Sequence, residues 1–378
     1  MADAGPVHHH TCLEWRGGAT RIARTLARLS PSGSSLSCEV AEPDPESGNG
    51  PGDGKMPGEG REPTAAVLPD ASALAGCVPA GALLHIHATQ DWPALLEAAL
   101  GHAGPVVVTA HDFSLLTGGC VYPLSCDRLE AGCPDPCPRA FPDAQAHRRR
   151  MASLVGALAP VLVSPSGWLA RRLRAAWPEL AVRVVPNGVP VPVQLGDKAE
   201  ARSRLGIRRS ARVALYVAHG GSGASYKGGA RIRSQLAAVA AAVPGALGVI
   251  AGGGELRREE NLLCLPYLDG EMLEALYRAA DVMVYPSLAD NHPLVVLEAM
   301  AHGLAVAAYA AGGIPEQLTH GATGLLLPPG DEDGLIRAVS GLLADNVAAQ
   351  HMGERAREKA LRHFGEQRMA RDYAQVHA

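Results

Sequence analysis

Aromatic residues are scarce in this chain of 378 residues: they make up 4% of the sequence, with three Phe, four Trp and eight Tyr. Proteins that bind single-stranded nucleic acid stack bases on aromatic side chains and carry basic grooves. The formal net charge here is −4 and the sequence pI is about 6.4. We therefore expect no nucleic-acid partner.

Long apolar runs are also lacking. The longest, Leu294–Val306, contains Glu298, His302 and Gly303, whereas a bilayer span needs about 20 apolar residues. The first ten residues, MADAGPVHHH, show no basic region followed by an apolar stretch, so we expect no secretory signal peptide. These two absences predict a cytoplasmic protein.

Two arginine clusters stand out in the first half of the chain, at residues 148–150 and at Arg171, Arg172 and Arg174. Such clusters usually form a solvated basic face. The alternative is peripheral contact with an anionic membrane surface, which attracts basic segments. The sequence leaves both interpretations open.

Apolar residues make up 47% of the chain, which is enough for a sizeable core, and the length favours two or three domains. After an apolar run at Val7–Leu13, strand-like runs alternate with helical periodicity, which predicts an α/β fold with doubly wound parallel sheets. The strand candidates are Leu83–His87, Val106–Thr109, Val161–Ser164, Val182–Val185, Val213–Ala218, Leu247–Ala251, Leu262–Leu265, Val282–Tyr285, Ala305–Ala308 and Gly324–Leu327. The helix candidates include Trp168–Trp177, Ile232–Val243, Glu271–Ala280, Pro293–His302 and Gly334–Ala344.

The two halves meet around residues 188–200. We predict an N-terminal Rossmann-like domain over residues 1–190, a C-terminal one over 191–360, and a helix over 361–378 that packs back on the N-terminal domain. Residues 41–65 are rich in Gly, Pro and Glu. They predict a low-complexity loop because they have little apolar surface to bury.

Residues 281–330 carry the strongest chemical signal. A strand ends at Tyr285, a loop holds Asp290, and a helix is predicted to begin with Pro293 at its first position and to end before Gly303. A helix N-terminus directly after a strand favours anion binding, because its free N–H groups face the ligand. Glu298 lies within this apolar helix, and a buried carboxylate needs hydrogen-bond donors such as sugar hydroxyls.

An acidic residue, seven intervening residues and a Glu occur here as Asp290 and Glu298. With its surroundings, this stretch resembles the C-terminal domain of the retaining glycosyltransferases of family 4, the glycosyl transferases group 1, which have the GT-B fold. The surrounding matches are Ala280-Asp281, Pro286-Ser287, Glu298-Ala299-Met300, Gly312–Glu316 and Gly321–Gly324. Further matches are Gly17-Gly18-Ala19, His111, Ser164-Pro165-Ser166, Val185–Val189 and Tyr226-Lys227-Gly228.

The resemblance implies two doubly wound Rossmann-like domains that face each other across a cleft, with a UDP- or GDP-sugar donor bound mainly by the C-terminal one. Glu298 would bind the ribose hydroxyls, Lys227 would neutralise the diphosphate, and Asp290 would contact the donor sugar. The implied catalytic residues are His111, Lys227 and Asp290. The implied donor-binding residues are Gly17, Gly18, Lys227, Asn291, His292, Pro293, Leu294 and Glu298.

The activity implied is retaining transfer of a hexosyl-type group to a saccharide, lipid-linked or small-molecule acceptor, without a catalytic metal or a required cofactor. The branch of colanic-acid and related exopolysaccharide enzymes is the most similar. In that branch the histidine is followed by a Thr-Gly-Gly-Cys run and several cysteines, as in Leu116–Cys137 here. Polysaccharide biosynthesis is therefore the expected context.

Three departures from the family pattern leave alternatives open. The leading acid is Asp290 instead of the commoner Glu, and the 41–65 segment replaces ordered structure. Residues 221, 222 and 226 are not the Arg that many relatives carry before the lysine, so one cation is lost unless Arg231 or Arg233 turns inward. The alternatives are a weakly active or inactive nucleotide-sugar-binding relative, and a nucleotide-sugar epimerase on the same fold.

Four of the eight cysteines fall within 18 residues, among several prolines: Cys120, Cys126, Cys133 and Cys137. This grouping is compatible with a structural zinc or iron–sulfur site. Unpaired thiols or one disulfide are the alternatives, because the spacing matches no common zinc pattern.

Two other groups of metal-ligating residue types have simpler explanations. His85 and His87 end a strand candidate. They resemble a metal pair, but we favour the interpretation of a strand edge near the cleft. Residues 331–333 (Asp-Glu-Asp) precede an apolar helix, which favours helix capping over metal binding.

Overall fold

The computed structural model describes residues 5–30, 33–42, 65–254, 256–268 and 270–378. It divides the chain into two compact units: Met1–Asn187 together with Gln367–Ala378, and Gly188–Glu366. Nearly all of the predicted 41–65 loop lies outside the described residues. No helix within the described ranges is both long and apolar enough to cross a bilayer.

The N-terminal unit contains a seven-stranded parallel sheet in the order β3-β2-β1-β4-β5-β6-β7. Its elements are β1 (Val7–Leu13), α1 (Gly18–Leu29), β2 (Ser34–Val40), β3 (Ala66–Val67), α2 (Leu74–Cys77), β4 (Leu83–Ile86), α3 (Trp92–Ala99), β5 (Val106–Thr109), α4 (Ala144–Leu158), β6 (Val161–Ser164), α5 (Gly167–Ala176) and β7 (Val182–Val184).

The C-terminal unit contains a second seven-stranded sheet, β10-β11-β9-β8-β12-β13-β14, in which β10 alone runs antiparallel to its neighbour. Its elements are α6 (Lys198–Arg204), β8 (Arg212–Val217), α7 (Gly229–Ala242), β9 (Ala246–Gly253), β10 (Arg257–Arg258), β11 (Leu262–Pro266), α8 (Gly270–Ala279), β12 (Val282–Tyr285), α9 (Leu294–Ala301), β13 (Ala305–Tyr309), α10 (Ile314–Gln317), β14 (Leu325–Leu327), α11 (Glu332–Ala344) and α12 (Asn346–His363). The last helix, α13 (Glu366–His377), lies in the N-terminal unit except for its first residue.

Short polar side chains start several helices. Ser166 accepts a hydrogen bond from the backbone N–H of Leu169, and Asp331 accepts one from Gly334 at 2.9 Å. Such N-caps satisfy backbone donors that have no partner inside the helix. The capping predicted for residues 331–333 is therefore confirmed.

The central strands of the two sheets are buried on both faces, as in parallel sheets generally. In the C-terminal unit β8, β12 and β13 are adjacent and almost wholly buried. Continuous apolar runs without alternation therefore form the centre of the C-terminal sheet, which is why the sequence located these strands to within about two residues.

Each sheet reverses its strand order once. In the N-terminal unit the chain proceeds outward from β1 to β2 and then returns to β4 on the other side of β1. In the C-terminal unit the corresponding reversal lies between β8 and β12. In open α/β sheets, ligands bind outside the carboxyl ends of the strands at this switch point.

Candidate functional site

Three loops meet at the carboxyl edge of β8, β12 and β13 in the C-terminal unit. They are residues 218–228 after β8, residues 286–293 after β12, and residues 310–313 after β13. Leu288 donates a 2.8 Å hydrogen bond to the carbonyl of Tyr226, and Gly313 donates one of 3.0 Å to the carbonyl of Asp290. The 286–293 loop is therefore held between the other two, beside the switch point.

Asp290 is fixed by contacts to both its side chain and its backbone. The hydroxyl of Tyr285 donates a 2.7 Å hydrogen bond to Oδ2 of Asp290, and Asp290 is only 8% exposed. Burial, followed by the charge of Asp290, raises the pKa of Tyr285 well above its ordinary value, so the phenol stays protonated and remains a donor. Gly312 has φ +62°, and a Cβ there would lie 2.0 Å from the carbonyl oxygen of Asp290.

Glu298 lies on α9 and is 5% exposed. The hydroxyl of Tyr277, on α8, donates a 2.6 Å hydrogen bond to its Oε2. The ring of Tyr277 stacks on His302 with a centroid separation of 5.2 Å, and Nδ1 of His302 donates to the carbonyl of Glu298 at 2.8 Å. Tyr277 therefore orients the carboxylate of Glu298, and His302 contacts the backbone carbonyl of the same residue.

Residues Asn291–Leu294 lead into the N-terminus of α9 and are buried. Gln317 donates from Nε2 to the carbonyl of Pro293 at 3.0 Å and to Nδ1 of His292 at 3.2 Å. The first-turn N–H groups of a helix lack internal partners and are suited to an anion. The placement of Pro293 at the first helical position was wrong: its ψ of 125° is extended, so it is the N-cap and the helix begins at Leu294.

Lys227 lies directly beside the 286–293 loop. Its neighbour Gly228 has φ +82°, and a Cβ there would lie 2.4 Å from the carbonyl oxygen of Pro286. The hydroxyl of Tyr216 donates to the carbonyl of Lys227 at 3.1 Å. Lys227 is half-buried, and its Nζ lies 5.8 Å from the centre of the Tyr226 ring. The structure thus brings Lys227, Asp290, residues 291–294 and Glu298 together in one unit.

The two arginines considered as substitutes for the missing cation are engaged elsewhere. Arg231 forms an ion pair with Glu332, and Arg233 forms one with Glu259 at 2.5 Å. Both side chains are substantially exposed, at 71% and 36%. Neither arginine replaces the lost cation in this structure.

The remaining predicted residues lie in the N-terminal unit, also beyond the carboxyl ends of central strands. Gly17 has φ +92° and is the N-cap of α1, whose first residue is Gly18. His111 follows β5 by two residues, and its Nε2 lies 3.3 Å from Nδ1 of His87. Burial lowers the pKa of His111 to about 4, so this imidazole is neutral at pH 7.

Cys120, Cys126, Cys133 and Cys137 all line one cavity of about 20 Å³ in the N-terminal unit, and each is a free thiol. Burial raises the pKa of Cys120. Over the described ranges, three-ligand groups whose ligand atoms lie within 4.8 Å of one another comprise His9, His85 and His87, and the four cysteines are not among them. The predicted structural metal at the cysteines therefore stays a prediction.

Three side chains of the site were missed by sequence reasoning: Tyr277, Tyr285 and Gln317. Tyr277 contacts Glu298 from α8, Tyr285 contacts Asp290 from the end of β12, and Gln317 contacts His292 and Pro293 from α10. In the sequence these residues are distinguished only as polar side chains within apolar segments, and that does not show which residue each one contacts.

The comparisons with known proteins are consistent with this geometry. Residues 198–359 match the family described as glycosyl transferases group 1. The chain is 32% identical over 191 residues to the D-inositol 3-phosphate glycosyltransferase of Mycobacterium ulcerans, which covers 45% of this chain and 39% of that relative. The chain spans about half the length, or less, of the curated relatives it matches.

Two solved structures match nearly the whole chain. Sucrose-phosphate synthase from Thermosynechococcus elongatus has a TM-score of 0.73 at 21% identity, with 98% of each chain covered. The Anabaena protein HepE in complex with UDP-glucose has a TM-score of 0.72 at 17% identity, again with 98% of each chain covered. The fold is therefore GT-B, with two parallel-sheet Rossmann-like units. Residues 198–359 are therefore similar to glycosyl transferases group 1.

Proposed function

We propose that this protein is a retaining glycosyltransferase that transfers a hexosyl-type group from a nucleotide-sugar donor, a UDP- or GDP-sugar, to a saccharide, lipid-linked or small-molecule acceptor. One observation carries the proposal. Asp290, the start of α9 and Glu298 converge with Lys227 at the switch point of a unit whose residues 198–359 match glycosyl transferases group 1. The Anabaena neighbour solved with UDP-glucose supports a nucleotide-sugar donor.

Each residue has a distinct role in the proposal. Glu298 accepts hydrogen bonds from the ribose hydroxyls, and its orientation is set by Tyr277. The N-terminus of α9 and Lys227 balance the charge of the diphosphate, since free backbone N–H groups and an ammonium both favour an anion. Asp290 contacts the donor sugar. The roles of Gly17, Gly18 and His111 are carried by the family resemblance, and the neutral state of His111 suits a hydrogen bond to a sugar hydroxyl.

In the proposed reaction the bond between the anomeric carbon and the diphosphate oxygen breaks, and a bond from that carbon to the acceptor oxygen forms on the same face. The acceptor proton passes to the leaving phosphate oxygen. The protein stabilises the departing diphosphate electrostatically and positions the two substrates. The spacing of two hydrolytic carboxylates is therefore not required.

A binding screen tests the donor site. The full chain is titrated with UDP, GDP, ADP and dTDP and with their sugars, and unfolding temperature is measured. A ligand at 100 times its Kd stabilises by about 2.7 kcal/mol. We expect stabilisation by one nucleotide class, its loss in Glu298→Gln, and its retention in Glu354→Gln, which changes an exposed acid on α12.

Each outcome of this screen supports or contradicts the proposal. Absence of binding by every nucleotide, or equal binding by both variants, would contradict the donor-site assignment. Release of the nucleoside diphosphate on addition of an acceptor establishes transfer, and the anomeric configuration of the product by NMR establishes retention. Epimerisation of the donor without an acceptor, or binding without turnover, would replace the transferase proposal by one of its alternatives.

A further inference from the structure

Several histidines of the N-terminal unit lie on one face of its sheet, at the switch point between β1 and β4. His9 is paired in register with His85 on the neighbouring strand, so their side chains share a face. His87 follows His85 by two residues and returns to that face because side chains alternate along a strand. The hydrogen bond from the N–H of His87 to the carbonyl of His10 continues the strand pairing to this point.

The three imidazoles converge. His9, His85 and His87 are 1%, 0% and 1% exposed, and one ring nitrogen of each lies within 4.8 Å of those of the other two. The Nδ1 of His9 and the Nε2 of His87 are 3.2 Å apart. Two nitrogens bound to one tetrahedral zinc ion at about 2.0–2.1 Å lie about 3.4 Å apart. The His9–His87 pair already has nearly this spacing, and His85, which lies within 4.8 Å of both, would need to approach by at most about 1.4 Å.

The C-terminal helix covers this face and supplies a fourth imidazole. The Nε2 of His377 on α13 lies 3.1 Å from Nδ1 of His85, and the two rings meet edge to face with centroids 5.0 Å apart. This nitrogen separation also matches two ligands of one ion. His377 is close in this way to His85 and is not part of the group of three whose nitrogens lie within 4.8 Å of one another, so it would have to move toward His9 and His87 to complete the site.

Outer contacts orient the rings as they do around metal sites. Nε2 of His85 lies 2.8 Å from Oγ1 of Thr109, which itself contacts the hydroxyl of Tyr373 at 3.1 Å. Nδ1 of His87 contacts His111 at 3.3 Å. Metal-binding histidines typically use the second ring nitrogen for such a contact, which fixes the ring and its tautomer.

We propose that His9, His85 and His87, with His377 as the fourth ligand, bind one divalent transition-metal ion, Zn²⁺ being the ion that four imidazoles suit in tetrahedral geometry. The ion joins β1, β4 and α13, and so ties the last helix to the sheet. The role is structural, and the inference does not rest on the proposed transfer reaction.

The first test is metal content. The full chain, produced without an affinity tag and dialysed against metal-free buffer, is loaded with ZnCl₂, freed of excess metal and analysed by mass spectrometry. We expect one zinc per chain. A chain that retains no zinc would show that these imidazoles form only a neutral hydrogen-bonded cluster, and would overturn the proposal.

Neighbouring histidines provide the matched control. His8 is as buried as His9 but points to the other face, where it contacts Ser35 and Ser37. We expect His9→Gln to lose the ion and His8→Gln to keep it, with circular dichroism confirming that both fold. Equal zinc retention by both variants would exclude this site. In His377→Gln, the visible bands of bound Co²⁺ should shift, because one of four nitrogen ligands is replaced.

Co²⁺ also distinguishes this site from the cysteine loop. Imidazole ligation gives tetrahedral d–d bands in the visible region, whereas thiolate ligands add an intense charge-transfer band in the near ultraviolet. We expect the visible bands without the charge-transfer band, and unchanged in Cys133→Ser. A charge-transfer band that disappears in Cys133→Ser would place the ion at the cysteines and overturn the proposal.

Discussion

The hydroxyl of Tyr277 donates a 2.6 Å hydrogen bond to Oε2 of Glu298, and both residues are buried, 2% and 5% exposed. The two residues are on α8 and α9 and are 21 positions apart in sequence. A carboxylate held in this way has lost most of its rotational freedom before a ligand arrives. Such preorganisation lowers the entropy that binding has to overcome.

The Tyr277→Phe substitution therefore tests how far this contact positions Glu298. We expect it to weaken binding of the nucleotide by about 10- to 150-fold, because a hydrogen bond to a charged group contributes roughly 1.5–3 kcal/mol. Isothermal titration with the nucleotide found in the screen measures the change.

Tyr373→Phe is the control for general loss of stability. Tyr373 is also fully buried, and its hydroxyl contacts Oγ1 of Thr109 in the N-terminal unit. We expect this variant to unfold at lower temperature, with the nucleotide Kd unchanged. If Tyr277→Phe and Tyr373→Phe give the same Kd, Tyr277 has no positioning role.

Gly312 provides a second prediction, on backbone geometry. A Cβ there would lie 2.0 Å from the carbonyl oxygen of Asp290, and the φ of +62° is itself unfavourable for other residues. Gly312→Ala should therefore displace Asp290, lower stability by about 1–3 kcal/mol beyond the φ penalty, and weaken binding of the donor sugar.

Gly321→Ala separates the two effects. Gly321 has φ +74°, and no atom lies within 4 Å of the position that a Cβ would occupy, so alanine there encounters the φ penalty alone, about 1 kcal/mol. Urea unfolding and donor titration of both variants check the prediction. If Gly312→Ala and Gly321→Ala lose the same stability, the backbone around Asp290 moves to accommodate the added methyl group without cost, and the prediction is wrong.

The sequence predicted the local elements around the site better than their mutual contacts. The runs at Val282–Tyr285 and Ala305–Ala308 are continuously apolar, and Gly303 with φ +72° follows α9 as the helix-stop pattern requires. The contact between Gly312 and Asp290, by contrast, depends on β12 and β13 being adjacent. The order of strands is a property of the whole sheet, and the sequence of either segment alone does not show that β12 and β13 are neighbours.

The missed strand β2 has a physical explanation. Its sequence, Ser34–Val40, is largely polar and looks unlike a central strand. In the structure Ser35 and Ser37 contact the ring nitrogens of His8 at 2.7 and 2.9 Å. The polar strand is therefore stabilised by partners on β1, which is why strand propensity depends so strongly on context.

Lys227 is expected to act on the diphosphate through its charge. Lys227→Met should weaken nucleoside diphosphate binding by about 10- to 150-fold, since a charge-assisted hydrogen bond is worth roughly 1.5–3 kcal/mol. Nucleoside binding, measured in the same titration, should change little. Arg231→Met is the control, because that guanidinium is exposed and paired with Glu332. Equal effects of both variants on the diphosphate would indicate a general electrostatic field in place of a specific contact.

His302 is expected to make the stability of the protein depend on pH. Its Nδ1 donates to the carbonyl of Glu298, and its Nε2 is buried with no hydrogen-bond partner among the described residues. Burial lowers the pKa of His302 below its usual 6.5. The imidazole of His302 therefore binds a proton more readily in the unfolded chain than in the folded one. The contribution of neutral His302 to the free energy of unfolding is complete above about pH 6.5 and is lost as the pH falls below that value.

The expected result is a difference that depends on pH. We compare the free energy of urea unfolding of wild type and His302→Asn, since the Asn amide can still donate to the carbonyl of Glu298. The advantage of wild type at pH 7.5 should shrink toward pH 5, by at most about 1.4 kcal/mol per pH unit because one proton is involved. A constant difference between wild type and His302→Asn across this range would mean that the buried Nε2 accepts its proton without cost, through a rearrangement that brings it a partner.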